Sequence, residues 1–183
     1  RDYLAQIHKQ LGRLTHLEEA LLLLSRLDAG ILPLKMEAVD VYTAVSLAAD
    51  NLQEVFEAAG LSVDIPEMGE MKILADLDWT MEALMNLFKN CAEYTPPGGR
   101  IHCACSQNPL YTEIILWDDG KGFDKEDIPH LFERFYRGKN ASGNGIGIGL
   151  SLAREIIERQ NGTIRAVNLP GKGAAFEIRF YSH

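Results

Sequence analysis

What this chain lacks narrows it first. It has no long apolar run; the longest, residues 20–24, is far too short to cross a bilayer. No stretch reads as a signal peptide. Its cysteines are three, Cys91, Cys103 and Cys105, an odd count without regular spacing, which does not suggest a disulfide framework. Cys103 and Cys105 stand two apart in a strand-like segment and share one face as a buried reduced pair. His102 alone lies near them, which argues against a metal site. Positive charge is scarce: 18 Lys and Arg face 26 Asp and Glu, a net charge of −8. That balance argues against nucleic acid or an anionic membrane as principal partner. There is no internal repeat and no low-complexity segment. With 183 residues, 46% of them hydrophobic, the chain has material for one moderate domain plus an extension.

Glycine is concentrated where it carries chemistry. Gly143-Asn144-Gly145-Ile146-Gly147-Ile148-Gly149-Leu150 alternates glycine with other residues. It then opens into Ser151-Leu152-Ala153-Arg154-Glu155-Ile156-Ile157, whose apolar spacing is helical. Unpaired N–H groups and the positive dipole end at such a helix start suit a phosphate; a plain glycine-rich loop is the alternative. Upstream, the strand-like TEIILWD of residues 112–118 runs into Asp118-Asp119-Gly120-Lys121-Gly122-Phe123. A carboxylate ending a buried strand can accept a hydrogen bond from a base, and the glycines leave room for a flat ring. An ordinary DDG turn is the alternative.

Residues 80–95 carry apolar side chains at helical spacing, with Glu82, Asn86 and Asn90 four apart on one face. Asn is a mediocre helix former. Two on one face beside an apolar stripe gather oxygens suited to a hard cation such as Mg²⁺, unless they are solvated surface amides. At the other end, Leu4, Ile7, Leu11, Leu14, Leu17, Leu21, Leu24 and Leu27 step by three or four through a helix over residues 1–29, stopped by Gly30 and Pro33. So much leucine requires a partner surface, either another helix or this chain's own domain.

The order of motifs is an N-x-x-x-N helix, D-x-G-x-G, the Leu131-Phe132-Glu133-Arg134-Phe135-Tyr136-Arg137 segment, then G-x-G-x-G-L. This resembles the catalytic, ATP-binding domain of bacterial sensor histidine kinases, with its N, G1, F and G2 boxes, from about Asp28 to the C-terminus. Leu24-Ser25-Arg26-Leu27-Asp28-Ala29-Gly30 resembles the end of that family's second dimerisation helix. The resemblance implies an α+β fold, a two-layer α/β sandwich of the histidine-kinase, gyrase and chaperone type, preceded by the long amphipathic helix. It implies a dimerisation-helix fragment at 1–30, a linker at 31–34 and the catalytic domain at 35–183. ATP and Mg²⁺ are the implied ligands. Asn90 would hold the metal, with Asn86 near the phosphates, and Tyr94 would stack on adenine. Asp118 would read the base, with Gly120 and Gly122 lining its pocket. Arg134 and Arg137 would belong to the F box, Arg137 as a phosphate contact. Gly145, Gly147, Gly149 and Leu150 would form the hinge and phosphate cradle of a lid.

Three positions depart from the family pattern. Glu93 stands where a phosphate-holding Lys is usual, with Lys89 or Lys139 available to compensate. Gly173-Ala174-Ala175-Phe176 replaces a usual Gly-Thr, a change that concerns packing. Glu82 precedes Asn86 by four residues, where related ATPases place a water-activating Glu. Neither His8 nor His16 has the acidic neighbour and following Pro of a phosphoacceptor box, and His102, His130 and His183 lie outside the helix. The phosphorylated histidine is therefore expected outside this fragment, which would bind ATP without completing autophosphorylation. By the same resemblance, the parent protein would dimerise through the helix, pass phosphate to a response regulator, and work in the cytoplasm beneath upstream membrane and sensor segments. The alternatives are a non-catalytic dimerising scaffold, favoured by Glu93, or a related ATPase that hydrolyses its nucleotide.

The pattern further predicts strands at 34–39, 61–65 and 72–75, and a helix over 41–59 capped by Asp40. A helix is expected over 79–94, capped by Asp78, and hairpins over 100–106 with 112–117 and over 163–168 with 175–181. Helices are expected at 127–132 and 151–160. No regular βαβ alternation appears.

Overall fold

The computed structural model describes residues 2–30, 32–138 and 147–182. In chain order its elements are α1 (Asp2–Asp28), β1 (Glu37–Asp40), α2 (Val41–Asp50), α3 (Gln53–Ala59), β2 (Ser62–Asp64), β3 (Lys72–Ala75), α4 (Leu77–Tyr94), β4 (Arg100–Gln107), β5 (Tyr111–Asp118), α5 (Gly149–Arg159), β6 (Gly162–Asn168) and β7 (Ala174–Tyr181). The main sheet runs β2-β4-β5-β7-β6, with β2 parallel to β4 and the other pairs antiparallel. β1 and β3 form a separate antiparallel ribbon. This is the expected α+β arrangement: a mixed sheet in one layer and helices in the other.

The core lies between the layers. Along β5 the even-numbered residues Thr112, Ile114, Leu116 and Asp118 are buried and the odd ones half-buried, the period of a strand covered on one face. Ile114 and Leu116 join Leu84, Leu87 and Phe88 of α4 and Ile156 and Ile157 of α5 in one cluster. Each such side chain contributes about 1.5–3 kcal/mol by leaving water.

Three expectations change in the structure. The helix expected over 41–59 is two helices, because the chain turns at Asn51 and Leu52. That turn re-phases the second helix, so Leu52 and Phe56 both enter the core and Phe56 meets Phe88 edge-on at 6.0 Å. Asp40 caps α2 through the Thr43 N–H at 3.0 Å, as expected. The cap of α4, however, is Asp76 rather than Asp78. Its carboxylate accepts from Trp79 N at 3.0 Å and from Lys35 N at 2.7 Å, so the helix starts at Leu77. The helix expected at 127–132 shrinks to a 3-10 turn, Ile128–His130, around Pro129.

The leucine stripe of α1 divides. Leu24 and Leu27 are buried, with Leu17, Ala20 and Leu23 packed against the core. Leu4, Ile7, Leu11, Leu14, Leu21 and Leu22 stay exposed. Two polar ties fasten the docked end: Arg134 grips both oxygens of Asp28 at 2.7 and 3.0 Å, and the Arg159 guanidinium donates to the Leu27 carbonyl.

Candidate functional site

Strand periodicity delivers Asp118 to the inward face of β5 at its last residue, where it is 1% exposed. Its Oδ1 accepts from Gly120 N at 2.8 Å and Ala174 N at 3.2 Å. Its main-chain carbonyl accepts from Gly173 N at 3.0 Å. Oδ2 is buried and has no partner among the described residues. Burial pushes this carboxyl above the usual range, with the Gly120 and Ala174 N–H groups pulling the other way. A buried acceptor left open costs free energy, so Oδ2 is poised for a donor supplied from outside, such as the exocyclic amine of a base.

α4 supplies the next set. Its buried stripe includes Leu84, Leu87, Phe88 and Cys91, and the adjoining face carries Glu82, Asn86, Asn90 and Glu93. Asn86 Nδ2 donates to the Glu82 carbonyl one turn back at 2.9 Å, which turns its Oδ1 outward. Asn90 Oδ1 is buried and, like Asp118 Oδ2, has no partner among the described residues. A lone amide oxygen on the wall of a cavity is a suitable ligand for a hard divalent cation. At the C-terminal end of α4, Tyr94 packs edge-on against Phe123 at 5.8 Å. Its phenol is pushed up by burial first and by Glu93 and Asp127 next.

A cavity of about 970 Å³ opens along this face of α4. Its walls include Asn86, Asn90, Glu93, Tyr94, Arg137 and the 147–150 turn. Here the third and fourth boxes meet the first. Gly147 has φ +81°, and a Cβ there would come within 2.7 Å of the Tyr136 carbonyl; Phe135 N donates to the Gly147 carbonyl at 2.8 Å. A Cβ at Gly149, the first residue of α5, would stand 2.9 Å from Asn86 Oδ1, so the close approach of helix start and amide needs glycine. Glu93 holds Arg137 at 2.9 Å. Its carboxyl is raised by burial and lowered by that guanidinium. The residue that replaces the family's Lys thus stations a cation from the F segment on the cavity wall.

The residues anticipated from sequence are distributed as follows. Asn86, Asn90, Tyr94, Arg137, Gly147, Gly149 and Leu150 border the cavity. Asp118 and Gly120 sit behind Tyr94, whose carbonyl lies 2.9 Å from where a Gly120 Cβ would be. Gly122 faces the Asn168 side chain, which brackets Phe123 through its N–H at 2.7 Å and its carbonyl at 2.8 Å. Arg134 is turned onto Asp28 of α1 and does not border the cavity. Gly145, like Lys139, lies outside the described residues. Two contributions were not anticipated. The Gly173-Ala174 turn, read as a packing matter, holds Asp118 by two N–H groups, and a Cβ at Gly173 would overlap Asp118 Oδ1. The second is α1, whose Arg13 and His16 border the cavity. A glycine before the final strand hinted at the first, whereas no local pattern announced the second.

The family described as histidine kinase-, DNA gyrase B-, and HSP90-like ATPase matches residues 75–182. The sensor protein SphS of Synechococcus elongatus is 35% identical over 176 residues, covering 90% of this chain and 42% of that protein. The signal transduction histidine-protein kinase BaeS of Escherichia coli is 29% identical over 180 residues, covering 97% of this chain and 38% of its own length. This chain therefore spans about two-fifths of such relatives. Among solved structures, the Acinetobacter baumannii histidine kinase AdeS superposes with a TM-score of 0.80 at 23% identity, over 97% of this chain and 83% of that one. The chain belongs to the histidine kinase-, DNA gyrase B- and HSP90-like ATPase family, and within it to the ATP-binding domains of bacterial sensor histidine kinases.

Proposed function

We propose that this chain is the catalytic portion of a two-component sensor histidine kinase, binding ATP for transfer of its γ-phosphoryl group to a histidine outside these residues. The observation that carries the reading is a pair of buried oxygens without partners among the described residues, Asp118 Oδ2 and Asn90 Oδ1, one suited to a base and the other to a cation. The chain's own residues divide the work. Asp118, fixed by Gly120 and Ala174, accepts from the adenine amine and sets the nucleotide's register. Tyr94 offers a ring beside the base. The start of α5 places Gly149 and Leu150 on the cavity wall, with the N–H groups that a helix start leaves without an intrahelical acceptor, and Arg137 adds a cation to the same wall. When bound, Mg²⁺ on Asn90 would supply neutralisation of the triphosphate charge. Catalysis is then mainly positioning. The bond from the γ-phosphorus to its bridging oxygen breaks, with that oxygen leaving on ADP, and a bond forms to the unprotonated imidazole nitrogen; the ring's other nitrogen then releases its proton to solvent.

The name of one relative, a signal transduction histidine-protein kinase, supports the assignment of reaction; a response-regulator aspartate is the onward acceptor in this reading. The exposed leucines of α1 support pairing of two copies through that helix. No helix of the described residues is long and apolar enough to cross a membrane. We assign the chain to the cytoplasm, where ATP is available, as part of a protein anchored by other segments. The test is a calorimetric titration with ADP and a non-hydrolysable ATP analogue, with and without Mg²⁺. Mg²⁺-dependent binding that Asn90→Ala weakens and Asp118→Asn abolishes is expected. A folded chain that binds neither nucleotide overturns the reading.

A further inference from the structure

We propose that α1 is a wall of the nucleotide site and that Arg13, seconded by Lys9, contacts the terminal phosphates; this rests on the ATP-binding reading above. Lys9, Gly12, Arg13, His16, Ala20 and Leu23 border the cavity opposite Asn86, Asn90 and Glu93. They recur every three or four residues, so they form one face of the helix. The exposed leucines, Leu4, Ile7, Leu11, Leu14 and Leu21, recur in the same way roughly half a turn away. The two faces of α1 can therefore serve two purposes at once: the leucine face is free for a helical partner while the other closes the cavity.

Charge explains why this wall matters. From α4 and the F segment the cavity receives Lys89 and Arg137 against Glu82 and Glu93, a balance of zero, and Arg137 is already held by Glu93. A triphosphate entering such a site meets no surplus of positive charge from those walls. α1 adds Lys9 and Arg13 against Glu19, so the wall becomes net cationic by one unit counting Lys, Arg, Asp and Glu alone. Among the described residues Arg13 is also the one of these cations with a buried atom left unpaired, its Nε. A guanidinium with an open N–H beside a cavity suits a phosphate oxygen, which it can grip in two-point fashion. The docking of α1 is independently secured by Leu24, Leu27 and the Asp28–Arg134 pair, so the wall stands without nucleotide.

Asp118 and Gly120, which would read the base, sit behind Tyr94 and are not among the residues that border the cavity with α1, so the prediction separates the two ends of the ligand. On the intact chain, adenosine, ADP and the non-hydrolysable ATP analogue with Mg²⁺ are titrated by calorimetry into wild type, Arg13→Ala, Arg13→Lys and Lys9→Ala. Arg13→Ala is expected to weaken the ATP analogue by roughly tenfold and to leave adenosine unchanged. Lys9→Ala should produce a smaller loss in the same order, and Arg13→Lys should restore part of the affinity. Circular dichroism verifies that each variant keeps its helix content. Unchanged binding of the ATP analogue by Arg13→Ala overturns the proposal while leaving the ATP-binding reading intact. So does an equal loss for adenosine and the analogue, which would mean a structural effect rather than a phosphate contact. A wild-type chain that binds none of the three ligands removes both.

Discussion

Asp118→Asn should move binding and stability in opposite directions. In the structure one carboxylate oxygen is satisfied twice, by Gly120 N and Ala174 N, and the other is buried without a partner. An amide keeps the satisfied oxygen and puts an NH₂ where the open acceptor was. Toward a nucleotide, a charged acceptor becomes a donor facing a donor. The lost charge-assisted hydrogen bond is worth about 1.5–3 kcal/mol, so affinity should fall at least tenfold. In the free protein the change replaces an unpaired buried carboxylate by a neutral group, which is cheaper to leave unpaired. A gain of about 1 kcal/mol would raise Tm by roughly 2–4 °C for a chain of this size. The pH dependence has a definite sign. Burial raises this carboxyl in the folded state above its unfolded value, so its stabilising protonated form is lost as pH rises through the folded value. The variant's advantage should therefore be largest at neutral pH and fade as pH falls into the acid range. Thermal melts with and without nucleotide, across pH, provide the assay. A variant that melts below wild type at neutral pH, or binds ADP as wild type does, refutes the reasoning.

Further outcomes can be checked on the same chain. Asn90→Ala should lower affinity about tenfold with Mg²⁺ present and leave Mg²⁺-free binding nearly unchanged, since it removes a cation ligand rather than a base contact. Gly147→Ala forces a side chain into a left-handed backbone and against the Tyr136 carbonyl. It should cost about 1–2 kcal/mol in urea unfolding as well as nucleotide affinity. Gly173→Ala should damage binding although Gly173 touches no ligand, because its Cβ would displace Asp118 Oδ1; a titration equal to wild type would show that the β7 turn does not hold the carboxylate. Glu93→Gln removes the charge that holds Arg137 on the cavity wall and should weaken ATP-analogue binding several-fold; binding equal to or tighter than wild type would show that Arg137 does not depend on Glu93 for its place.

Much of the site could be read from local pattern because local geometry makes it. The four-residue step of Glu82, Asn86 and Asn90 puts them on one face of any helix, wherever that helix packs. The alternation in TEIILWD sends Asp118 inward with Ile114 and Leu116, and glycines at Gly147 and Gly149 announce a backbone that others cannot adopt. Other features depend on atoms distant in sequence. Asp118 is held from Gly173 and Ala174 on another strand, and Asp76 rather than Asp78 caps α4 because Lys35 and Gln160 also converge on it. Glu93, a loss of charge when read alone, becomes the support of Arg137 only when the F segment folds over α4. Arg134 reads as part of the nucleotide machinery, yet the docked end of α1 brings Asp28 to it.

The sequence by itself determined most of the elements, the order of the glycine and asparagine motifs, and the family, because helical and strand periods and glycine's missing Cβ act within a few residues. Tertiary structure alone decided which oxygens remain unpaired among the described residues, which cations border the cavity, and that α1 forms one of its walls. Those outcomes depend on packing between segments as far as 132 residues apart, and no period within one segment encodes them.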